Sequence, residues 1–394
     1  MIILKKAILM ILLIFSLFTI INTVAAANYY VDNNTKHTDI TNWIKNDAKK
    51  GDNLIFKGST YNLTNTVIVS KSINIKSENK TQINFKNEGN MFKVTVSGVN
   101  FDGLSLNYHG SDYSVIYASG PSKKINIKNT DIKVTSSGVD TVHIEKWCGN
   151  LTNCKINIEN QFSGVLNSNV WSGNIVNSKI TTGTGLGTQF TDAIICLGIW
   201  KGNMVNSEIY TNSSCAISAE WNGKITKSKI YCGIDRKNSY TSYGLFLPDS
   251  KGTITNSTIK VYRGSALGIP DEIKVNNCIL SSGKKYPKIE RFRSDLVIDS
   301  VKKSGNTYKV SFSNMAFVIA DSKPCILVIK CENKILKKVP VKSLEGVIEG
   351  PQKTVKIAIP AKYANKKYTK IAIIDYYNKN KEYNRKNNQY KFKF

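Results

Sequence analysis

The segment Gly138-Val-Asp140-Thr-Val-His143-Ile-Glu145 brings two carboxylates and one of the chain's three histidines close together in sequence. A carboxylate beside an imidazole can take up or deliver a proton, so Asp140, His143 and Glu145 are the residues best fitted to acid–base chemistry. Asp192 could join them from a nearby coil. Positions 140 and 143 are an odd number apart, however, and on a flat strand such residues point to opposite faces. The expectation is that the pair does not converge and that no catalytic centre forms. No Cys-x-x-Cys pair occurs, and the histidines are only His37, His109 and His143, so neither a metal site nor a cofactor is expected.

A second grouping is aromatic. Trp147-Cys-Gly-Asn-Leu-Thr-Asn-Cys-Lys-Ile156, Trp171-Ser-Gly-Asn-Ile-Val-Asn-Ser-Lys-Ile180, Trp200-Lys-Gly-Asn-Met-Val-Asn-Ser-Glu-Ile209 and Trp221-Asn-Gly-Lys-Ile-Thr-Lys-Ser-Lys-Ile230 run in register. Ser250-Lys-Gly-Thr-Ile-Thr-Asn-Ser-Thr-Ile259 keeps all but the Trp. Trp147, Trp171, Trp200 and Trp221 are thus candidates for a flank that holds sugar rings. The competing reading is an interior ladder. Burying an indole removes about 150 to 250 Å² from water, an upper bound near 4 to 6 kcal/mol each, and this favours the ladder.

The elements that position these residues follow from the repeat. Asn129, Asn153, Asn177, Asn206, Lys227, Asn256 and Asn277 are equivalent, with spacings of 24, 24, 29, 21, 29 and 21 residues. This fits one coil of a parallel β-helix with connections of variable length. Ile175 and Ile180 flank Asn177-Ser178. Asn accepts the left-handed backbone of a tight corner, and Ser bonds back to the local chain. In stacked coils the asparagines lie about 4.8 Å apart, so a structural ladder of Asn129, Asn153, Asn177, Asn206, Asn256 and Asn277 is expected. One repeat cannot bury its own apolar face, and the coils must therefore fold together.

Lys5 and Lys6, an apolar run from Ala7 to Ile21 and Ala25-Ala26-Ala27 read as a secretory signal over residues 1–27. An exported protein held free or at a cell surface is the expectation. Of the eight cysteines, Cys154 and Cys278 occupy the Ser position of the repeat and should pack as small residues, while Cys325 and Cys331 are candidates for a disulfide. The formal charge is +27, and residues 291–394 hold 23 Lys and Arg against 8 Asp and Glu, a balance of +15. That balance points to anionic polysaccharide, cell-wall polymer or a membrane surface as partner of the C-terminal region. No recognition motif accompanies the charge, and nucleic acid is not expected.

Asp39 to Ala48 reads as a short amphipathic helix with Asp39 as N-cap, plugging the first coil. After it come Gly51-Asp52, Gly58-Ser-Thr60-Tyr61, Lys71-Ser-Ile73-Asn-Ile75 and Val99-Asn-Phe-Asp-Gly-Leu104. Over residues 28–290 this order resembles right-handed parallel β-helix proteins of the pectin lyase-like superfamily. The resemblance implies a fold that carries lyases, hydrolases and inert adhesins alike. Polygalacturonase-like members use Asn-Thr-Asp, Asp-Asp, Gly-His-Gly and Arg-Ile-Lys. Only Asn129-Thr130-Asp131 occurs here, and it falls on a repeat corner. Pectate lyases need an acidic calcium cluster and an Arg, and Arg236 and Arg263 have no such cluster beside them in sequence.

Beyond Pro287 the repeat ends. Residues 295–301, 307–312, 325–330, 355–359 and 371–375 read as strands of an immunoglobulin-like β-sandwich. The ending Asp375-Tyr-Tyr-Asn378 through Asn387-Asn388 resembles the CARDB adhesion modules, although Lys381, Arg385 and Lys386 intrude on its acidic positions. The expected protein is all-β: a right-handed parallel β-helix, then a CARDB-like sandwich over 291–394. Its expected role is that of a secreted or surface adhesin-like protein, non-catalytic, that binds or scaffolds glycan. A polysaccharide lyase or glycoside hydrolase acting on acidic polymer is the competing class.

Overall fold

The computed structural model describes residues 25–110, 113–135, 140–159, 164–182, 195–211, 215–233, 242–262, 264–285, 287–304, 307–315, 322–344, 352–364, 367–380, 382 and 385–393. From Asn28 to Phe292 the strands pair in parallel and stack into a β-solenoid of about ten turns. Each coil visits three sheets in turn, here named I, II and III. In the coil after Lys155, for example, Lys155–Ile158 lies in sheet II, Leu166–Trp171 in sheet III and Ile175–Val176 in sheet I. Sheet II has ten strands, each paired to the equivalent strand one coil away.

The spacing of apolar residues explains the interior. Ile132, Ile156, Ile180, Ile209, Ile230 and Ile259 are matched in register on sheet II and are buried. Leu151, Ile175, Met204, Ile225 and Ile254 form the matching column of sheet I. Outward residues alternate with these, as strand geometry requires.

Between the two columns sits the corner. Asn129, Asn153, Asn177, Asn206, Lys227, Asn256 and Asn277 all have φ between +48° and +53°, the left-handed conformation expected of them. Asn153 donates through Nδ2 to Asn129 Oδ1 (3.1 Å), Asn206 to Asn177 (2.9 Å) and Asn277 to Asn256 (2.7 Å), while Asn129 donates to Asp102 (2.8 Å). These amides are exposed, so they do not serve buried groups. The neighbouring hydroxyls do. Ser178, Ser207, Ser228 and Ser257 are buried, and each Oγ donates to the carbonyl two residues back and accepts an N–H from the coil before it. Cys154 and Cys278 take the same position, each bonding back to the carbonyl two residues earlier.

A second amide ladder runs along the outside of sheet I. Asn53, Asn74, Asn100 and Asn126 each donate to the preceding Asn, starting from Asn28, and Asn174 and Asn203 continue the pattern above Asn150. The tryptophans form the interior corner between sheets III and I. Their Nε1 groups donate to carbonyls one coil away: Trp147 to Ile125 (2.7 Å), Trp171 to Gly149 (2.9 Å), Trp200 to Gly173 (3.1 Å) and Trp221 to Gly202 (3.1 Å). The Gly two residues after each Trp lies so close to the coil below that a Cβ there would strike backbone atoms. The Trp-x-Gly pair is therefore a single structural unit.

Most of the variation in coil length falls on one edge. From the end of each sheet II strand to the matched sheet III position (Val134 to Val142, Ile158 to Leu166, Thr182 to Ile195, Thr211 to Ile217, Cys232 to Leu245, Val261 to Leu267) the chain advances 8, 8, 13, 6, 13 and 6 residues. From those sheet III positions to the next corner it advances 10 or 11. The coil before these takes 13, from Ile116 to Asn129, with its two extra residues between sheets III and I.

The N-terminal plug begins earlier than expected. His37–Asn42 is α-helical and Trp43–Asp47 continues as a π-helical turn; Ile40, Ile44 and Ala48 are buried. Lys36, not Asp39, is the N-cap, and Asp39 accepts the Lys36 N–H at 3.0 Å from the third helical position. After Phe292 the strands become antiparallel, in a three-stranded sheet (Leu296–Ser304, Thr307–Asn314, Lys353–Ala358) and a four-stranded sheet (Cys325–Cys331, Lys334–Val341, Lys370–Ile373, Gln389–Phe392). Their buried cluster, from Leu296 to Phe392, shares no residue with the solenoid cluster. Lys334–Val341 and Gln389–Phe392 were not foreseen from sequence: the first carries a Pro and paired lysines, and the second is only four residues long. Cys325 and Cys331 prove to be free thiols at the two ends of one strand, roughly 20 Å apart by strand rise, and cannot form the expected disulfide.

Gly173→Ala tests the close approach of coils. Its Cβ would meet the Gly149 carbonyl and the Trp171 ring, and backbone cannot yield cheaply. The expected cost is about 3 kcal/mol, the upper end of ordinary overpacking. The exposed neighbour Ser172→Ala should leave the thermal transition, followed by far-UV circular dichroism, unchanged.

Candidate functional site

The outer face of sheet III carries one row of matched residues: Lys93, Tyr117, His143 and Asn167. Alternation along each strand puts apolar neighbours such as Ile116, Val142 and Leu166 inside and these four outside. The tyrosine and histidine rings stack, with centroids 5.4 Å apart and planes 24° from parallel. Asp140 lies under the row, its Oδ2 3.1 Å from His143 Nδ1 and accepting a hydrogen bond from Asn167 Nδ2 at 2.7 Å.

The sequence argument from odd spacing fails here for a simple reason. Strand Val142–Ile144 begins after Asp140, so the aspartate belongs to the approach to the strand and is not bound by its alternation. Asp140 and His143 do meet. Both are largely covered, with side-chain exposures of 17% and 29%. The hydrogen bond that His143 donates to Asp140 is the main reason that its imidazole holds its proton above the usual histidine range, with partial burial opposing. Glu145 does not join them as a free acid or base: its carboxylate accepts the Gly120 N–H at 2.7 Å. Asp192 lies outside the described residues, as do Arg236 and Arg263.

No protein family model matches this chain, and no curated protein matches it. Its side chains alone carry the functional reading. Trp147, Trp171, Trp200 and Trp221 are at most 2% exposed. The first three stack with centroids 4.3 and 5.6 Å apart, and the fourth follows, tilted, at 6.1 Å. A buried indole offers no face to a sugar ring, so these candidates are part of the scaffold. Asn129-Thr130-Asp131 is likewise structural: Thr130 is buried and bonds back to Lys128, while Asp131 pairs with Lys80 at 3.3 Å.

Two cationic surfaces complete the picture. On sheet II, Glu208 sits between Lys179 (3.9 Å) and Lys229 (2.9 Å), and these contacts hold its carboxyl below the ordinary range, Lys229 foremost. Tyr210 and Tyr231 stack above it at 4.9 Å, with Lys179 and Lys260 over their outer faces. Each ring thus has a tyrosine on one side and a lysine Nζ on the other. In the C-terminal region Lys379, Lys386, Lys391 and Lys393 are exposed, whereas Lys366 and Lys381 are outside the described residues.

The acidic tail residues hold the C-terminal sheets together. Asp375, at φ +51°, accepts the N–H groups of Lys379 (2.9 Å) and Asn380 (2.8 Å). Glu382 accepts the Leu296 N–H (3.0 Å) and Asn388 Nδ2 (3.0 Å), and burial pushes its carboxyl up to about 7. Among the described residues no three His, Cys, Asp or Glu gather as a metal centre, and no helix is long and apolar enough to cross a membrane.

Tyr117, Asn167 and Lys93 were missed by sequence reasoning: the two coils holding Lys93 and Tyr117 precede the recognisable repeats, and Asn167 lies outside the repeated decapeptide. The geometry makes a direct prediction. Asp140→Asn removes the acceptor that favours the imidazolium, so the His143 titration midpoint should fall toward the unperturbed value of about 6.5. With three histidines in the chain, a proton NMR titration resolves this. A midpoint equal to that of the native protein would mean that Asp140 does not hold the ring.

Proposed function

We propose that this protein is a secreted or surface-held adhesin-like scaffold that binds glycan or envelope polymer without catalysis. The solenoid is read as a right-handed helix of the pectin lyase-like kind. Residues 291–394 are read as an immunoglobulin-like, CARDB-like sandwich that docks on anionic polysaccharide, cell-wall polymer or membrane surface through its charge of +15. The supporting observation is the assignment of side chains. The repeated Trp and Ser residues are interior, the Asn residues bond to one another, and what remains for a ligand is the sheet III row and the cationic surfaces.

A polysaccharide lyase or glycoside hydrolase is the second reading, favoured by the Asp140–His143 contact. Against it, glycoside hydrolysis uses two carboxyl groups facing one bond. Here Asp140 is engaged by His143 and Asn167, and Glu145 by Gly120.

Two measurements on the full chain separate the readings. Incubation with polygalacturonate or alginate, with and without calcium, is expected to give neither new reducing ends nor unsaturated product. Co-sedimentation with anionic envelope polymer should weaken between 0.1 and 1 M salt, as the Debye length shrinks from about 10 to about 3 Å. It should weaken further in the variant Lys379→Gln, Lys391→Gln, Lys393→Gln. Turnover lost in Asp140→Asn would overturn the non-catalytic reading, and salt-independent sedimentation would overturn the docking role.

A further inference from the structure

We propose that the row Lys93, Tyr117, His143 and Asn167 on the outer face of sheet III binds a carboxylate-bearing sugar unit of an acidic glycan, with His143 acting as a proton-gated donor. The inference rests on the glycan-binding reading above and names its ligand and its control.

Four observations carry it. The row presents donors: an exposed lysine, an imidazole and an amide, matched strand to strand at about 4.8 Å, so that Lys93 and Asn167 are three steps, roughly 14 Å, apart. That is room for a short extended chain lying along the solenoid axis. Among the described residues Lys93 forms no ion pair, so its charge is available to a ligand. His143 is held at one nitrogen: Asp140 occupies Nδ1 and Tyr117 stacks on the ring, which leaves Nε2 as the nitrogen able to meet a carboxylate. Finally, the connections that bring Tyr117, His143 and Asn167 into sheet III keep one length, 8 residues from Tyr108 to Ile116, from Val134 to Val142 and from Ile158 to Leu166, so the row is held at a fixed spacing on a rigid sheet.

The groups facing His143 set the sign of the control. Asp140 and Glu145 come from its own segment, Lys93 from strand Phe92–Val94, neutral Tyr117 from Ile116–Ala118, and neutral Asn167 from Leu166–Trp171. Asp140 stabilises the imidazolium. Formally, Lys93 and His143 together offset Asp140 and Glu145 at low pH, and the cluster gains a net negative charge when His143 loses its proton. Ligand affinity falls as pH rises through that step, and a bound carboxylate raises the midpoint further.

The test uses the full chain with trigalacturonate, and with neutral galactotriose as control, followed by histidine proton resonances and by equilibrium binding at pH 5.5 and 8.5. Loss of one charge near 4 Å from the ligand should make binding at least about fivefold weaker at pH 8.5. Trigalacturonate should move the His143 resonance and raise its midpoint, and galactotriose should do neither. His143→Gln should bind weakly and alike at both pH values. Asp140→Asn should keep the pH dependence but shift it to lower pH, a change that a merely structural role would not give. Trigalacturonate binding that leaves the His143 resonance unmoved, or pH dependence retained in His143→Gln, would overturn the site while leaving the scaffold reading intact. Unsaturated or shortened product would overturn the non-catalytic reading instead.

Discussion

The contact on which the solenoid depends is the one between an indole N–H and the backbone carbonyl one coil away. It requires the backbone at the following Gly to approach the neighbouring coil closer than any Cβ would permit. Because the same contact recurs at Trp147, Trp171, Trp200 and Trp221, each coil fixes the height and register of the next. The buried Ser column links the same coils with opposite polarity, the N–H of one coil donating to the hydroxyl of the next, so polar groups inside the corner are satisfied without water. A coil without neighbours would have none of these partners.

This internal register has a consequence for function. With sheets I and II and their corner held to a constant length, additions to the chain fall on either side of sheet III, most of them where sheet II passes to it. The outer face of sheet III presents a regular lattice of side chains whose identities do not repeat from coil to coil. Lys93, Tyr117, His143 and Asn167 stand there, and the Asp140–His143 contact is the only described ion pair in the molecule that involves a histidine. The scaffold and the face divide the work: repeated residues hold the rod, and residues that do not repeat give it chemistry.

The sequence exposed this division unevenly. The corner asparagines, the serine position and the β-helix itself were legible because they repeat at a fixed offset and have a local physical cause. The fate of the tryptophans was only half legible: their area argued for burial, but the Gly two residues later, which makes burial possible, was not recognised as part of the same unit. The external ladder of Asn150, Asn174 and Asn203 was visible beside that Gly and was passed over. The Asp140–His143 contact was misjudged because alternation was applied to a residue that precedes its strand. Tyr117 and Asn167 could not be placed, since cross-strand neighbours depend on the coil register and no single segment encodes it. Cys325 and Cys331 show the same limit in reverse: closeness in sequence suggested a bond that an extended strand forbids.

Indole environment is the most direct probe of this account, because all five tryptophans, including Trp43, are buried in the native chain. Native fluorescence is expected to be blue-shifted, to resist acrylamide quenching and to stay unchanged when saturating acidic glycan is added. Unfolding in guanidinium should abolish all three properties together. A red-shifted emission readily quenched by acrylamide and protected by glycan would place the tryptophans on a binding surface, and the structural ladder would have to be abandoned.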